Sequence, residues 1–167
     1  VTPDLDRIVA TLARHGVRYV LIGGLAAAAH GSTLPTEDVD VVPSRDRGNL
    51  ERLAAALAEL GARIRAEGEP EGIDFPCTGA FLAAMPTMLN LTTEAGDVDL
   101  VLRPAGFGDG HDALDTGAID VRLDSGDVVR VASLADVIAS KRAANRPKDV
   151  AALPYLEALA DEIARGR

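Results

Sequence analysis

The sequence predicts an α/β domain, a mixed sheet with helices packed around it, on three observations. Short β-branched or alternating runs recur between longer stretches whose apolar residues fall at helical spacing. At 167 residues, with 47% hydrophobic and 26% charged residues, the chain can bury one core without staples, and its lone cysteine, Cys77, forms no internal disulfide. No internal repeat, low-complexity tract or composition break divides it, so one domain over residues 1–167 is expected.

The elements follow in order. Thr2-Pro3 reads as an N-cap and first helical residue, with Leu5, Ile8, Val9 and Leu12 forming a helix that ends at Gly16. Val17 to Ile22 is a buried strand, Gly23-Gly24 a turn, and Leu25 to His30 a short helix. A polar loop, Ser32 to Glu37, leads to a strand from Asp38 to Val42 that alternates carboxylate and valine. Pro43-Ser44 ends it, and Ser44 caps a long helix from about Asp46 to Leu60, whose stripe of Leu50, Leu53, Ala54, Leu57 and Leu60 reads as core. Residues 66–80, rich in Gly, Pro and Glu, read as a loop. Thr87 to Thr93 and Val98 to Leu102 form a hairpin across Glu94-Ala95-Gly96. Ala118 to Leu123 and Val128 to Val131 form another, across Asp124-Ser125-Gly126. Ser133, with Asp136 three residues on, starts a helix through about Ala144, and a last helix runs from about Asp149 to Ala164.

Charge and hydropathy exclude several classes. With 26 acidic against 17 basic residues the net charge is −9, which argues against a surface that coats nucleic acid nonspecifically. The longest apolar run, Tyr19 to Ala29, is too short to span a bilayer and is broken by Gly23 and Gly24. No basic-then-apolar leader opens the chain, so no membrane partner and a cytoplasmic location are expected.

The chemistry concentrates in Asp38-Val39-Asp40-Val41. Residues two apart on a strand share a face, so Asp38 and Asp40 project together while the valines enter the core. Two adjacent carboxylates repel, and a divalent cation removes that penalty. Hard oxygen ligands suit Mg²⁺, or Mn²⁺, better than a thiolate metal, and such ions hold the attacking and leaving oxygens of a phosphoryl displacement. Upstream, with thirteen residues between, Gly23-Gly24 offers a turn without Cβ atoms, where backbone N–H groups approach a triphosphate. Downstream, Val137 to Lys148 carries four cations and no acid, Lys141, Arg142, Arg146 and Lys148, whereas Asp97 to Asp127 holds eight aspartates and two arginines. A cationic edge beside an acidic metal site is what a nucleoside triphosphate requires, and nucleotidyl transfer needs no nucleophilic side chain.

With these residues the sequence resembles the DNA polymerase β-like nucleotidyltransferase superfamily, and more finely the AbiEii/MenT group of nucleotidyltransferase toxins. The resemblance rests on Ile22-Gly23-Gly24, Ala29-His30-Gly31, Thr36-Glu37-Asp38-Val39-Asp40 and the run from Ser140 to Asp149, and it spans residues 18–155. It implies the nucleotidyltransferase fold, with Asp38 and Asp40 as metal ligands and Gly23-Gly24 facing phosphate. Lys141 and Asp149 would be active-site residues, and Arg142, Arg146 and Lys148 would bind nucleotide. Asp99, within Val98-Asp99-Leu100, would be a third metal ligand, with Asp97 as its substitute. Many relatives carry an arginine two residues before the threonine, where this chain has Leu34. The implied function is transfer of a nucleoside monophosphate from an NTP to the 3′ end of tRNA, blocking translation, as the toxin partner of a cognate antitoxin. The alternatives are the same fold modifying a protein hydroxyl or a small molecule such as an aminoglycoside, or a catalytically silent nucleotide-binding module.

Plainer roles stand beside these. Lys141 and Arg142 also suit a helix C-terminus, Asp149 a helix N-terminus, and Asp99 the solvent face of a hairpin. His30 reads as a tie between its turn and the following loop, His15 and His111 as surface residues, and Cys77 as unreactive. Thr36, two residues before Asp38, is a candidate regulatory phosphorylation site, since a phosphate there adds about two negative charges beside the carboxylates.

Overall fold

The computed structural model describes residues 2–166; Val1 and Arg167, the ends of the expected domain, lie outside the described residues. The first half runs α1 (Leu5–Arg14), β1 (Tyr19–Ile22), α2 (Gly23–Ala29), β2 (Asp38–Pro43), α3 (Arg47–Glu59), β3 (Arg63–Ala66), β4 (Glu69–Ile73) and α4 (Gly79–Ala84). The second runs β5 (Met88–Thr93), β6 (Gly96–Val101), α5 (His111–Asp115), β7 (Ile119–Arg122), β8 (Val128–Val131), α6 (Leu134–Ala144) and α7 (Pro147–Ala164). The strands form one mixed sheet in the order β4-β3-β5-β6-β2-β1-β8-β7. β2 lies antiparallel to β1 and parallel to β6, and β1 lies parallel to β8.

Burial explains why β2 sits near the middle. Val39, Val41 and Val42 have no solvent exposure, and neither do Val20, Leu91 and Leu100 on other strands. α3 presents Leu50, Leu53, Ala54 and Leu57, with Leu60 at its C-cap, to that core; α1 adds Ile8, Val9 and Leu12. Each fully buried leucine contributes roughly 1.5–3 kcal/mol. The parallel register of β2 and β6 sets Asp38 opposite Asp97 and Asp40 opposite Asp99. Directly paired residues share a face, so four aspartates emerge together from two neighbouring strands.

Several local expectations are corrected. α1 is capped by Asp4, whose carboxylate accepts the Arg7 N–H at 3.0 Å, not by Thr2. α3 is capped by Asp46, which accepts the Asn49 N–H at 2.9 Å; Ser44 instead donates to Asp46. The shorter reach of a serine hydroxyl two residues upstream yields to the carboxylate at the cap itself. Residues 66–80 are not one loop, because β3 pairs with β4 as a hairpin and α4 begins at Gly79. Pro70 and Gly72 hide the strand in the sequence, and an edge strand tolerates both. α7 starts at Pro147, two residues early, since proline at N1 gives up an N–H that has no helical partner. The side chain of His111 is only 10% exposed, not a surface group. His30 ties its turn to the Ala132 carbonyl at 2.8 Å, rather than to the following loop.

Asn49 shows how polar groups hold the strands to α3. It has no exposure, accepts the Arg18 N–H at 2.7 Å, and donates to the carbonyls of Arg18 and Ser44 at 2.8 and 2.7 Å. Asn49→Ala leaves one donor and two acceptors of the backbone without this partner. We expect it to lower the unfolding free energy by about 2 kcal/mol, measured as a shifted urea midpoint.

Candidate active site

The β2–β1 antiparallel pair and α2 bring the first group of residues together. Asp38 and Asp40 are half-buried on the outward face of β2, with Val39 and Val41 fixed in the core between them. Neither carboxylate is ion-paired or hydrogen-bonded to another side chain among the described residues; Asp38 is touched through its carbonyl, which accepts the Thr36 hydroxyl at 3.2 Å. Burial, reinforced by the charges of Asp38 and Asp99, pushes Asp40 up to about 7, against the opposing pull of Lys148 and Lys141. Burial is the larger cause of that rise; the two neighbouring carboxylates add to it, and no cationic side chain pairs with Asp40 among the described residues.

Gly23 and Gly24 lie in the first turn of α2, not in a turn ahead of it. Gly23 has φ +72°, and a Cβ there would fall 2.0 Å from Asp40 Oδ2. A Cβ on Gly24 would fall 2.6 Å from the Thr36 Cβ and Oγ1. The missing side chains therefore admit Asp40 and Thr36, and the backbone of α2 closes directly against the carboxylate.

α6 and α7 supply the cations. Ser133 caps α6 by accepting the Asp136 N–H at 3.1 Å, and Asn145 ends it in the left-handed conformation, φ 51°, so that the chain re-enters α7 at once. That tight connection places Lys141, Arg146 and Asp149 together. Asp149 has no exposure; it accepts from Arg146 Nε at 2.6 Å and from Lys141 Nζ at 3.3 Å. Burial opposes its charge, but the Arg146 hydrogen bond and the two cations hold its carboxyl below the usual range. Asp149 is thus no solvent-facing helix-start acid; it anchors two cations. The charges of Asp40 and Asp38 also act on Arg146. Lys148 is exposed, and its charge reaches Asp40. Arg142 is engaged elsewhere, by Glu157 on α7 at 2.5 Å.

Asp99 is buried rather than solvent-facing, and what it meets is Arg65 of β3, which the sequence reading missed. Arg65 donates to Asp99 Oδ1 at 2.7 Å and pairs with Asp97 Oδ2 at 2.6 Å. Asn90 of β5 approaches Asp99 Oδ2 at 3.4 Å. Burial pushes Asp99 up to about 6 although Arg65 opposes it, with Asp38 and Asp97 adding to the rise. The only available signal for Arg65 was the period-two spacing of Arg63 and Arg65 in a short polar stretch, which any exposed edge shares.

A divalent ion fits this donor set. Asp38 and Asp40 offer hard oxygens with no competing partner, and Mg²⁺ is commonly held by one or two carboxylates while substrate phosphates and water complete its shell. Among the described residues no three His, Cys, Asp or Glu side chains converge into a closed cage, which agrees with Asp99 being drawn toward Arg65.

The raised Asp40 has a testable consequence without metal. Its carboxyl binds a proton more tightly folded, near 7, than at its ordinary 3.8, so its contribution is favourable below about pH 4 and is lost as pH rises through 7. In EDTA, Asp40→Asn should therefore melt above the wild type at pH 8, and the gap should close near pH 4, read by circular dichroism.

Comparisons with known proteins bear on the fold. No protein-family model matches the chain, and no curated protein matches its sequence. Solved structures do. A crystal structure of the lincosamide antibiotic adenylyltransferase LnuA, lincomycin-bound, superposes with TM-score 0.60 at 14% identity, over 93% of this chain and 96% of that one. ANT(2'')-Ia in complex with adenylyl-2''-tobramycin gives 0.55 at 18% identity, over 98% and 97%. A putative nucleotidyltransferase, TM1012 from Thermotoga maritima, gives 0.50 at 16%, over 96% and 91%. No helix among the described residues is long and apolar enough to cross a membrane. The chain has the nucleotidyltransferase fold, shared nearly end to end with proteins whose sequences it scarcely matches.

Proposed function

We propose that the chain is a metal-dependent nucleotidyltransferase. It moves a nucleoside monophosphate from an NTP to an acceptor hydroxyl: the acceptor oxygen bonds the α-phosphorus, the bond to the β-phosphate oxygen breaks, and pyrophosphate leaves. The observation that carries this reading is the unneutralised Asp38/Asp40 pair, set beside Asp99 and faced by Lys141, Arg146 and Lys148. A bound Mg²⁺ or Mn²⁺ supplies charge neutralisation at the phosphates. Asp38 and Asp40 hold that ion; Asp99, which pairs with Asp40 in register where Asp97 pairs with Asp38, is the third carboxylate only once Arg65 releases it. Lys148, with no side-chain partner among the described residues, meets the triphosphate from solvent. Lys141 and Arg146 meet it from positions that Asp149 holds, so Asp149 is a positioning residue. The close-packed Gly23-Gly24 backbone borders the phosphates beside Asp40. Arg142 contributes once it leaves Glu157.

Two acceptors are supported by different observations. The motif run from Ile22 to Asp149 favours the 3′ end of tRNA, with the chain acting as a toxin opposed by a cognate antitoxin protein. The net charge of −9 and the end-to-end likeness to two antibiotic adenylyltransferases favour a small-molecule hydroxyl.

Radiolabelled NTPs, each incubated separately with tRNA, an aminoglycoside and a lincosamide, decide between them. Label on tRNA supports the toxin reading, label on a drug the second, and no label on any acceptor with any NTP contradicts transfer to these classes. On the acceptor that is labelled, Asp38→Ala and Lys141→Ala should lower kcat by about 10²-fold or more. Unchanged turnover in either rejects the site. Thr36 touches the carbonyl of Asp38 and packs on Gly24, so a charge there crowds the same pocket. Thr36→Glu should raise the NTP KM by about tenfold or more while Thr36→Val stays near wild type; equal KM values reject regulation at this residue.

A further inference from the structure

Four aspartates share one face of β2 and β6, yet they are not treated alike. Asp38 and Asp40 are without side-chain partners among the described residues. Asp97 and Asp99 are bridged by a single guanidinium, Arg65, reaching from β3 past Asn90 on the intervening β5, with contacts of 2.6 and 2.7 Å. Asp99 is 8% exposed and Arg65 32%, so the contact is partly shielded from water. A guanidinium fork held by two carboxylates is geometrically specific in a way a point charge is not. The Asn90 amide, on the other oxygen of Asp99, limits rotation of that carboxylate.

We propose that Arg65 is an internal counter-cation that claims the Asp97/Asp99 side of the site and competes with a divalent ion there. In the nucleotide-free protein the ion is left with Asp38 and Asp40 alone, so it binds weakly by itself and enters mainly as part of a metal–NTP complex, whose phosphates supply the ligands that Arg65 withholds. Arg65 is a positioning residue: it sets where Asp99 points. The inference rests on the reading of Asp38 and Asp40 as metal ligands.

The test is titration of the full chain with Mn²⁺ alone, following the free ion by electron paramagnetic resonance. Arg65→Ala should bind Mn²⁺ about tenfold or more tightly than wild type, because a third carboxylate is freed and a competing charge removed. Arg65→Lys, which keeps the charge but not the fork, should fall between them. Asp99→Asn added to Arg65→Ala should return affinity toward wild type. Reversal of the gain by Asp99→Asn, with an unchanged circular dichroism spectrum of Arg65→Ala, separates a freed ligand from non-specific binding by a loosened acidic chain. Equal or weaker binding by Arg65→Ala overturns the inference while leaving the metal site standing. No Mn²⁺ bound by wild type or any variant overturns both, and the two failures are thereby distinguished.

Discussion

Repulsion among aspartates on two adjacent parallel strands is the constraint on which the rest of this structure depends. The register that pairs Asp40 with Asp99 and Asp38 with Asp97 cannot relax, because the alternate residues Val39, Val41, Val98 and Leu100 are enclosed in the core. A one-residue slip would turn Val39 and Val41 to solvent and Asp38 and Asp40 inward. The hydrophobic core thus holds like charges together against their mutual repulsion, and the surrounding elements are arranged to answer it. Arg65 does so from one side, Lys141, Arg146 and Lys148 from the other, and the remaining deficit of positive charge lies at Asp38 and Asp40.

The two halves of the cationic response differ in kind. Arg65 is committed to carboxylates of the sheet itself. Lys141 and Arg146 are held by Asp149, whose complete burial makes it the anchor of the α6–α7 corner. Removing one partner from such a buried group costs far more than removing an exposed charge, so Asp149 ties the two helices together at this corner. The left-handed Asn145 and the early start of α7 at Pro147 create this corner. α2, by contrast, reaches Asp40 only because Gly23 lacks a side chain.

Much of this was legible in the sequence because it rests on period-two and helical spacing. The Asp38–Val42 strand, the α3 stripe, the Ser133 cap and the order of the acidic and cationic motifs are local signals, and the structure keeps them. What escaped was non-local. Arg65 and Asp99 are 34 residues apart, and no local pattern says that β3 lies two strands from β6. The β3–β4 hairpin went unseen because Pro70 and Gly72 oppose strand propensity and an edge position permits them. The burial of Asp149 was equally hidden: an acid at a helix start looks the same in sequence whether it faces water or two cations.

The proposed function stands on one site, in which Asp38 and Asp40 take a divalent ion together with a nucleoside triphosphate. Isothermal titration of the purified chain with an NTP, in Mg²⁺ and then in EDTA, tests it most directly. Binding should need Mg²⁺ and be lost when both residues are changed to asparagine. Binding of the same strength in EDTA, or in the double variant, would contradict it.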